Sequence, residues 1–447
     1  MEVHSTTTVF PPGERIKQIQ TLPLVPDDGV ENHVVNLYPQ ATDQRFEGFG
    51  GAFTDAAGSV FALMGRDDQD RFLESYFDED QMNYCLGRLP LDSCDFSTHQ
   101  YEALSDPDDR AMATFSLAGT ERHILPLLNA AQRRRGAPLE VLISPWSPPA
   151  FMKTNGRRTG GGKLRPEMRD FWAGYLCRYI TELRSRGLQV RRMTLQNEPA
   201  AIQAWDSCLY TAEEERDFLK RNLFPALRRS GLEDVEVYLW DHNKERLFER
   251  ACVVCGDGEA SALVAGFAFH WYSGDHFEAV DLVHRQFPDK KLILSEACIE
   301  YSKFSAEKPL ANAQKYAHDM IGNLNAGMTA FYDWNLILDE HGGPNYVDNF
   351  CDAPYLYDTG KHKLLRRATL DYLWHFSHFI HPGAVRIGFS KYTDQLEVTA
   401  FRNPDGRLAC VLLNRTKNQL PVHLRVNGST VALVSGPESI STLVVQD

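Results

Sequence analysis

The segment LEVLISPW, residues 139–146, shows most clearly the pattern from which the fold is predicted. It is a short apolar run that ends in serine, proline and tryptophan. The long amphipathic segment Glu167–Arg186 and a second short run, Arg192–Asn197, follow it. A short buried strand, a helical segment and another strand make the βαβ unit of a parallel sheet. The same alternation continues from about Leu139 to Leu336, which predicts an α/β protein.

Two earlier apolar runs bring the number of predicted strands to eight. They are Phe46–Phe53, Tyr84–Leu91, Leu139–Trp146, Arg192–Asn197, Glu236–Asp241, Gly266–Tyr272, Lys291–Ala297 and Ala330–Asn335. Helical segments fit between them, for example Glu167–Arg186 and Ala212–Arg229. Eight repeats favour a closed (β/α)8 TIM barrel over an open doubly wound sheet, which usually has fewer strands.

The two ends of the chain have a different pattern. Val34–Tyr38 and the region beyond about Ala384 contain short strands of period two. Gln395–Phe401 and Leu408–Leu413 predict a hairpin around the turn Asn403-Pro404-Asp405-Gly406. We therefore expect a side β-sandwich built from both termini. Residues 1–44 are expected to give its N-terminal strands, 45–380 the catalytic barrel and 381–447 the C-terminal part of the sandwich.

Composition excludes several classes of function. Apolar residues make up 43% of the 447 residues and charged residues 24%, which is typical of a globular protein. The formal charge is −13 and no basic stripe is present, so a nucleic-acid partner is not expected. No apolar run is long enough for a membrane span. The N-terminus lacks the pattern of a signal peptide, from which we expect a cytoplasmic protein.

The nine cysteines are scattered, and only Cys252 and Cys255 form a CxxC pair. No second pair stands at the spacing of a zinc site, so neither a metal nor another cofactor is expected.

Polar and aromatic residues follow five of the predicted strands. These strands end in Ser144-Pro145-Trp146, Gln196-Asn197-Glu198-Pro199, His270-Trp271-Tyr272, Ser295-Glu296-Ala297 and Asp333-Trp334-Asn335. In a barrel the carboxyl ends of the strands meet at the mouth, where catalytic groups lie. Aromatic faces and polar groups together suit a sugar ring, so the expected partner is a carbohydrate.

Glu198 and Glu296 are the two carboxylic acids that glycoside hydrolysis requires. One must donate a proton to the leaving oxygen, and the other must attack the anomeric carbon or activate water. If the two carboxyl groups lie about 5–5.5 Å apart, the retaining route follows. We expect Glu296 to stay ionised beside Arg88, at the end of the second strand. Glu198, less compensated and beside the Asn197 amide, is expected to hold the proton.

The motifs resemble those of the acid β-glucosidase (glucosylceramidase) family, glycoside hydrolase family 30, in a bacterial-type member. The resemblance spans roughly Phe46 to Gly388. Its motifs are Phe49-Gly50-Gly51-Ala52-Phe53-Thr54-Asp55, Ser93-Cys94-Asp95-Phe96-Ser97, Ser144-Pro145-Trp146, Lys153-Thr154-Asn155-Gly156, Gln196-Asn197-Glu198-Pro199, His270-Trp271-Tyr272, Ser295-Glu296-Ala297-Cys298, Asp333-Trp334-Asn335-Leu336 and Gly342-Gly343-Pro344-Asn345. Gly50 and Gly51 are interpreted as structural, because a close strand turn leaves no room for a Cβ.

The resemblance implies a role for each matching residue. Glu198 is similar to the family's acid/base and Glu296 to its nucleophile. The residues expected to contact the sugar or its aglycone are Asp95, Trp146, Asn197, Trp334 and Asn349, with Asn349 on the aglycone side. The residues expected to surround the two glutamates are Arg88, His270 and Tyr272. The family's fold, a barrel with a β-sandwich from both termini, agrees with the pattern of the chain.

Some segments depart from the lipid-cleaving members of that family. The loop Ala200–Cys208 is shorter and different in sequence, and Tyr346 replaces a tryptophan. These changes leave the sugar-ring site intact but argue against ceramide as the leaving group. The first hypothesis is an exo-acting retaining β-glucosidase, or a relative that removes β-fucose or β-xylose. An endo-acting β-1,6-glucanase of the same family is an open alternative, as is a non-catalytic carbohydrate-binding protein. A role of the side sheet in oligomerisation is also open.

Overall fold

The N-terminal segment forms four strands that belong to a side sheet. In the computed structural model, which describes residues 2–11 and 14–446, these are β1 (Glu2–Val9), β2 (Ile16–Pro23), β3 (Val25–Pro26) and β4 (Val34–Arg45). Met1, Pro12, Gly13 and Asp447, which the domain expectation includes, lie outside the described residues.

The central part of the chain forms a closed barrel of eight parallel strands. They are β5 (Gly48–Ala52), β6 (Leu86–Leu91), β7 (Glu140–Pro145), β8 (Gln189–Thr194), β9 (Glu236–Asn243), β10 (Gly266–His270), β11 (Lys291–Glu296) and β12 (Ala330–Asn335). Each overlaps one of the eight predicted strands, so the barrel is confirmed. The strand order around the barrel follows the chain, and β12 pairs with β5 to close it.

Three further strands follow the barrel, and six strands complete the side sheet. The three are β13 (Ile337–Asp339), β14 (Tyr355–Asp358) and β15 (Lys363–Arg366); the six are β16 (Val385–Lys391), β17 (Leu396–Arg402), β18 (Leu408–Asn414), β19 (Leu420–Val426), β20 (Ser429–Ser435) and β21 (Ser439–Gln446). β17 and β18 form the expected antiparallel hairpin. The side sheet has ten strands in the order β2-β1-β21-β18-β17-β16-β4-β19-β20-β3.

Eleven α-helices lie among the described residues. They are α1 (Asp55–Leu63), α2 (Arg66–Phe77), α3 (Ala118–Arg135), α4 (Arg169–Ser185), α5 (Ala212–Phe218), α6 (Phe224–Arg229), α7 (Leu247–Cys255), α8 (Gly258–Leu263), α9 (Phe277–Gln286), α10 (Pro309–Asn325) and α11 (Ala368–Ser377). The predicted helix Ala212–Arg229 is divided by a π-helical turn, Leu219–Leu223. Among the described residues, no helix combines the length and the apolar character that crossing a membrane requires.

Separate apolar clusters fill the barrel and the side sheet. The barrel interior holds side chains from six of the eight strands, which are Leu86, Leu142, Tyr238, Ala268, Ile293, Ala330 and Tyr332. One face of the side sheet encloses its own core, which includes Val35, Leu412 and Leu443. The opposite face, including Val411 and Ile440, joins the large core between the barrel and its helices. The barrel therefore rests on a packed support and presents a rigid mouth.

Gly50 lies within β5, where the neighbouring strand approaches closely. A Cβ at Gly50 would stand 2.2 Å from the carbonyl oxygen of Leu86 in β6. The glycine is structural, as expected. The reason, however, is contact between paired strands and not a strand turn.

We expect Gly50→Ala to lower the free energy of unfolding by about 1–3 kcal/mol, because the backbone of β6 must move away. Gly258→Ala is the matched control, since a Cβ there meets nothing within 4 Å. In α8 this substitution should be neutral or stabilise by up to about 1 kcal/mol. Urea unfolding of both variants measures the difference. Equal urea midpoints for the two variants would show that the close approach of β5 and β6 does not require a glycine at position 50.

Candidate active site

The carboxyl ends of the barrel strands surround a cavity of about 150 Å³. Eight of the ten site residues predicted from the sequence line it. They are Asp95, Trp146, Asn197, Glu198, Tyr272, Glu296, Trp334 and Asn349. The other two, Arg88 and His270, lie behind the lining and are fully buried. The sequence thus identifies a set of residues that the fold brings together.

Glu296 ends β11 and is held by two donors. Arg88 Nη1 donates to Glu296 Oε2 at 2.6 Å, and the Tyr272 hydroxyl donates to Oε1 at 2.8 Å. Burial raises the pKa of Glu296, against the positive charges of His270 and Arg88, and the charge of Glu198 raises it further. The carboxyl group is thus oriented through both oxygens.

The sequence predicted Arg88 at the end of its strand, but Arg88 lies in the middle of β6. Its guanidinium reaches the site from within the barrel. Besides Glu296, it donates to Asn197 Oδ1 at 2.8 Å and to Asp241 Oδ2 at 2.9 Å. Because the Asn197 side chain faces Arg88, its amide is not the group that compensates Glu198.

The negative charge of Glu198 has more hydrogen-bonding and positively charged neighbours than the sequence predicted. Its Oε1 lies 3.4 Å from His270 Nδ1 and 3.8 Å from His242 Nε2, and Gln203 Nε2 donates to Oε2 at 3.2 Å. Burial alone would raise the pKa of Glu198, but the hydrogen bond and the positive charge of His270 lower it below the usual value of a glutamate. The direction of this shift opposes the expectation that Glu198 itself holds the proton in the free site.

The proton next to Glu198 belongs to His270. Burial opposes its charge, but the charge of Glu296 and the hydrogen bonds to Asp241 and Glu198 raise the pKa of His270 to about 9. His270 is therefore a buried imidazolium at neutral pH. Its Nε2 lies 3.0 Å from Asp241 Oδ1, so the ring is held between two carboxylates.

Asp241, in β9, joins the surroundings of both glutamates. It is completely buried and accepts from Arg88, His270, Thr194 at 2.6 Å and Ser295 at 2.5 Å. The charge of Arg88 and the hydrogen bond from His270 outweigh burial and lower the pKa of Asp241. One carboxylate therefore orients the arginine that contacts Glu296 and the histidine that contacts Glu198.

The backbone around Glu198 adopts conformations that non-glycine residues rarely take. Glu198 has φ 48°, and the facing residues Trp240 and Asp241 have φ 75° and 50°. The Glu198 amide donates to the Asp241 carbonyl at 3.0 Å, which ties the two segments together. Left-handed residues of this kind persist where the surrounding structure enforces them, and they concentrate at functional sites.

Asp95 and Asn349 form a polar pair on another side of the cavity. Asn349 Nδ2 donates to Asp95 Oδ2 at 2.9 Å. The resemblance placed Asn349 on the aglycone side. In the structure its side-chain amide is instead hydrogen-bonded to Asp95, the residue expected to bind the sugar hydroxyls. Burial, together with the charge of Glu296, raises the pKa of Asp95 to about 8. Asp95 thus carries a proton at neutral pH and can both donate to and accept from a hydroxyl.

Trp146 and Trp334 form the aromatic part of the cavity. Their rings are stacked with centroids 5.5 Å apart. The Arg88 guanidinium lies 5.0 Å from the Trp146 centroid and 5.5 Å from that of Trp334. The same arginine therefore supports the aromatic wall and the Glu296 carboxylate.

The outer wall comes from loops after the barrel strands. Gln203 and Trp205, in the loop Ala200–Cys208, line one side, and Glu300 and Lys303 line another. Lys303 Nζ lies 2.7 Å from Glu300 Oε2. This part of the wall is polar and charged apart from the Trp205 ring.

Sequence reasoning missed the site residues of β9, namely Asp241, His242 and Asn243. Their signal was present, because polar residues also end the fifth predicted strand. In the chain from 2 to 11 and from 14 to 446, no group of three or more His, Cys, Asp or Glu side chains could hold a metal ion.

Family models match nearly the whole chain. Residues 46–380 match the glycosyl hydrolase family 30 TIM-barrel domain, and residues 383–443 match the glycosyl hydrolase family 30 beta sandwich domain.

Two named proteins and one solved structure are similar to this chain. Lysosomal acid glucosylceramidase of Mus musculus is 35% identical over 87% of this chain and 78% of its own length. Endo-1,6-beta-D-glucanase of Neurospora crassa is 26% identical over 88% and 83%. The crystal structure of SrfJ from Salmonella typhimurium is 36% identical, with full coverage of both chains and a TM-score of 0.96. The chain therefore belongs to glycosyl hydrolase family 30, and it is a glycoside hydrolase that acts on carbohydrate substrates.

Proposed function

We propose that the protein is an exo-acting, retaining β-glycosidase that hydrolyses β-glucosides or closely related β-linked sugars. The observation that carries this proposal is that Glu198 and Glu296 line one cavity but have different partners. Glu296 is held by Arg88 and Tyr272, and Glu198 by a protonated histidine. Two carboxyl groups in unlike environments suit the two roles of a double displacement.

In the first step, Glu296 attacks the anomeric carbon as the bond to the leaving oxygen breaks. Arg88 and Tyr272 aim the carboxylate, and Glu198 delivers a proton to the leaving oxygen. His270 supplies that proton across the 3.4 Å contact as the oxygen becomes basic. The products are the free aglycone and a covalent glycosyl-enzyme on Glu296.

In the second step, water replaces the aglycone and attacks the same carbon. Glu198 and His270 take the proton from this water, which restores the starting state. The C–O bond to Glu296 breaks, and the sugar leaves with the β configuration. Two inversions at one carbon give net retention.

The cavity wall supports a polar aglycone. Lys303, Glu300 and Gln203 line the cavity, and Gln203 contacts Glu198, the group that would protonate the leaving oxygen. Charged groups would lose hydration against the acyl chains of ceramide without gaining a partner. A sugar or small glucoside would instead use them as hydrogen-bonding groups, so we favour such a substrate over glucosylceramide.

An endo-acting β-1,6-glucanase is the second candidate, because the Neurospora crassa relative carries that name. The loop Ala200–Cys208 favours the exo mode, since Gln203 and Trp205 line the cavity and Gln203 donates to Glu198. Short aryl glycosides and a long β-1,6-glucan distinguish the two modes. An exo enzyme should release only monosaccharide from the glucan, whereas an endo enzyme should give oligosaccharides early.

Glu296→Gln should lower kcat by about 10³-fold or more, because an amide cannot form the glycosyl ester. Sugar binding should persist, since Arg88 can keep the single amide oxygen of the glutamine as its acceptor and the Tyr272 hydroxyl can accept from the amide N–H. Activity on an aryl β-glucoside and product-inhibition constants measure the two effects. Asp339→Asn, in β13, is a control that should keep normal kcat. A normal kcat in Glu296→Gln would overturn the assignment of the nucleophile.

Glu198→Ala should affect substrates according to their leaving groups. An alkyl glucoside needs proton donation and should lose about 10²–10⁴-fold in rate. An activated nitrophenyl glycoside needs little donation for its first step and should lose far less at that step. Pre-steady-state rates for both substrates provide the comparison. Equal losses would contradict acid/base duty for Glu198.

The pH profile should be bell-shaped. Activity needs ionised Glu296, whose raised pKa places the acidic limb above the usual range of a glutamate. It also needs the proton on the Glu198–His270 pair, which is lost as pH rises through about 9. His270→Gln should move the alkaline limb to lower pH. His423→Gln, in β19, should leave it in place, and an unshifted limb in His270→Gln would refute this proton source.

A further inference from the structure

Two free thiols stand together in the wall of the active-site cavity. Cys298 Sγ lies 3.2 Å from Cys351 Sγ, and both residues line the cavity. They belong to the segments that follow β11 and β13. These segments are bonded to each other, since the Asp352 amide donates to the Ile299 carbonyl at 2.8 Å. The thiol contact is therefore set by paired backbone.

This pair is connected to groups that hold the sugar and Glu296. Cys298 Sγ lies 3.4 Å from the hydroxyl of Tyr272, which donates to Glu296. Cys351 comes two residues after Asn349, whose amide donates to Asp95. A change at the two sulfurs would reach the proposed nucleophile on one side and the sugar-binding pair on the other.

We propose that Cys298 and Cys351 are a dithiol modification site that hydrogen peroxide converts to a disulfide, reversibly inactivating the hydrolase. The formation of the bond is independent of the catalytic roles given above, whereas the loss of activity rests on the proposed function. Hydrogen peroxide is small enough to enter the cavity, and a larger disulfide oxidant is less suited to thiols that are almost completely buried.

The arrangement selects Cys351 as the sulfur that reacts first. Cys298 donates its S–H to Cys351, and this hydrogen bond lowers the pKa of Cys351, but burial and nearby carboxylates outweigh it and leave the pKa above that of an ordinary thiol. Burial raises the pKa of Cys298 much further. The thiolate is the reactive form, so the reaction should be slow at neutral pH and faster in alkali.

The reaction balances in two steps. The Cys351 thiolate attacks one oxygen of peroxide, the O–O bond breaks, and the leaving hydroxide takes a proton to become water. Cys351 is then a sulfenic acid. Cys298 loses its proton, its sulfur attacks Cys351 Sγ, and the sulfenic oxygen leaves as a second water. Two thiols have lost two electrons and two protons, and peroxide has become two waters.

The bond should disturb catalysis because it moves both walls. A disulfide needs about 2.05 Å between sulfurs, so the contact must close by about 1 Å. It also removes the thiol beside the Tyr272 hydroxyl. A misplacement of about 1 Å can cost about 10²-fold in rate. We therefore expect a loss of about tenfold or more in kcat for the oxidised enzyme.

The test treats the protein with hydrogen peroxide at neutral and alkaline pH, removes the peroxide with catalase and measures aryl glucoside hydrolysis. Free thiols are then alkylated in denaturant, and peptides are identified by mass. The expected result is a linked Cys298–Cys351 peptide that accumulates in step with lost activity. Both should be reversed by dithiothreitol, which does not reverse methionine oxidation, and both should form faster in alkali.

Two variants make the test specific. Cys351→Ser should show no loss that dithiothreitol reverses, relative to its own untreated rate. The double variant Cys252→Ser and Cys255→Ser removes the other thiol pair, on α7, and should respond like the parent protein.

Other outcomes separate the two proposals. Treated protein without the linked peptide, or with the linked peptide and full activity, would overturn the modification site. A loss of activity that dithiothreitol reverses and that persists in Cys351→Ser would also overturn it. If that variant does not fold, the linked peptide of the parent protein and its reduction by dithiothreitol provide the test. Untreated protein without any hydrolase activity would instead reject the proposed function, while the peptide measurement still reports on the dithiol.

Discussion

The buried charge of Asp241 is the constraint on which the rest of the active site depends. An isolated carboxylate in the barrel interior would be very costly, so this one must be paired and hydrogen-bonded. Arg88, His270, Thr194 and Ser295 satisfy it completely. Loss of one charged partner from such a group typically costs about 3–5 kcal/mol. The same contacts that make Asp241 tolerable therefore fix Arg88 and His270 in place.

This arrangement links the stability of the barrel to its chemistry. Arg88 projects from the middle of β6 and contacts Glu296, while His270 ends β10 and contacts Glu198. Both contacts depend on side chains that cannot turn away without leaving a buried charge. Side chains on strands thus orient both glutamates, although Glu296 ends β11 and Glu198 lies four residues beyond the end of β8. Preorganised charge is the largest source of catalytic stabilisation in most enzymes.

Much of the fold and part of the site could be predicted from sequence, because both depend on local patterns. Apolar runs separated by helical segments gave eight strands, and polar residues after them gave Glu198 and Glu296. The fifth strand was located too, but its end at Asp241 carries no glutamate and was passed over. The role of Asp241 depends on four partners that are distant in the sequence. The spacing of residues in the sequence does not predict that their side chains meet.

The protonation of Glu198 shows the same limit more clearly. Its neighbours His242, His270 and Gln203 come from two strands and a loop, so the charge around it is known only after folding. The sequence showed Asn197 beside it, but that side chain turns to Arg88. Adjacency in sequence predicts the face of a strand better than it predicts electrostatic contacts, because a neighbouring side chain can point elsewhere.

The loop Ala200–Cys208 in the outer wall is held by a separate group of charged residues from the one around Asp241. Arg158 anchors the loop Ala200–Cys208 through a nearly buried ion pair with Asp206, and it also lies near Asp92 and Glu102. None of these groups contacts Arg88 or Asp241 among the hydrogen bonds and ion pairs of the described residues. Apart from Gln203, which contacts Glu198, the exposed residues of the loop can therefore change while its anchor and the two glutamates stay in place. This separation lets one barrel keep its sugar-ring chemistry while the group beyond the cleaved bond varies, in agreement with the different substrates named for its relatives.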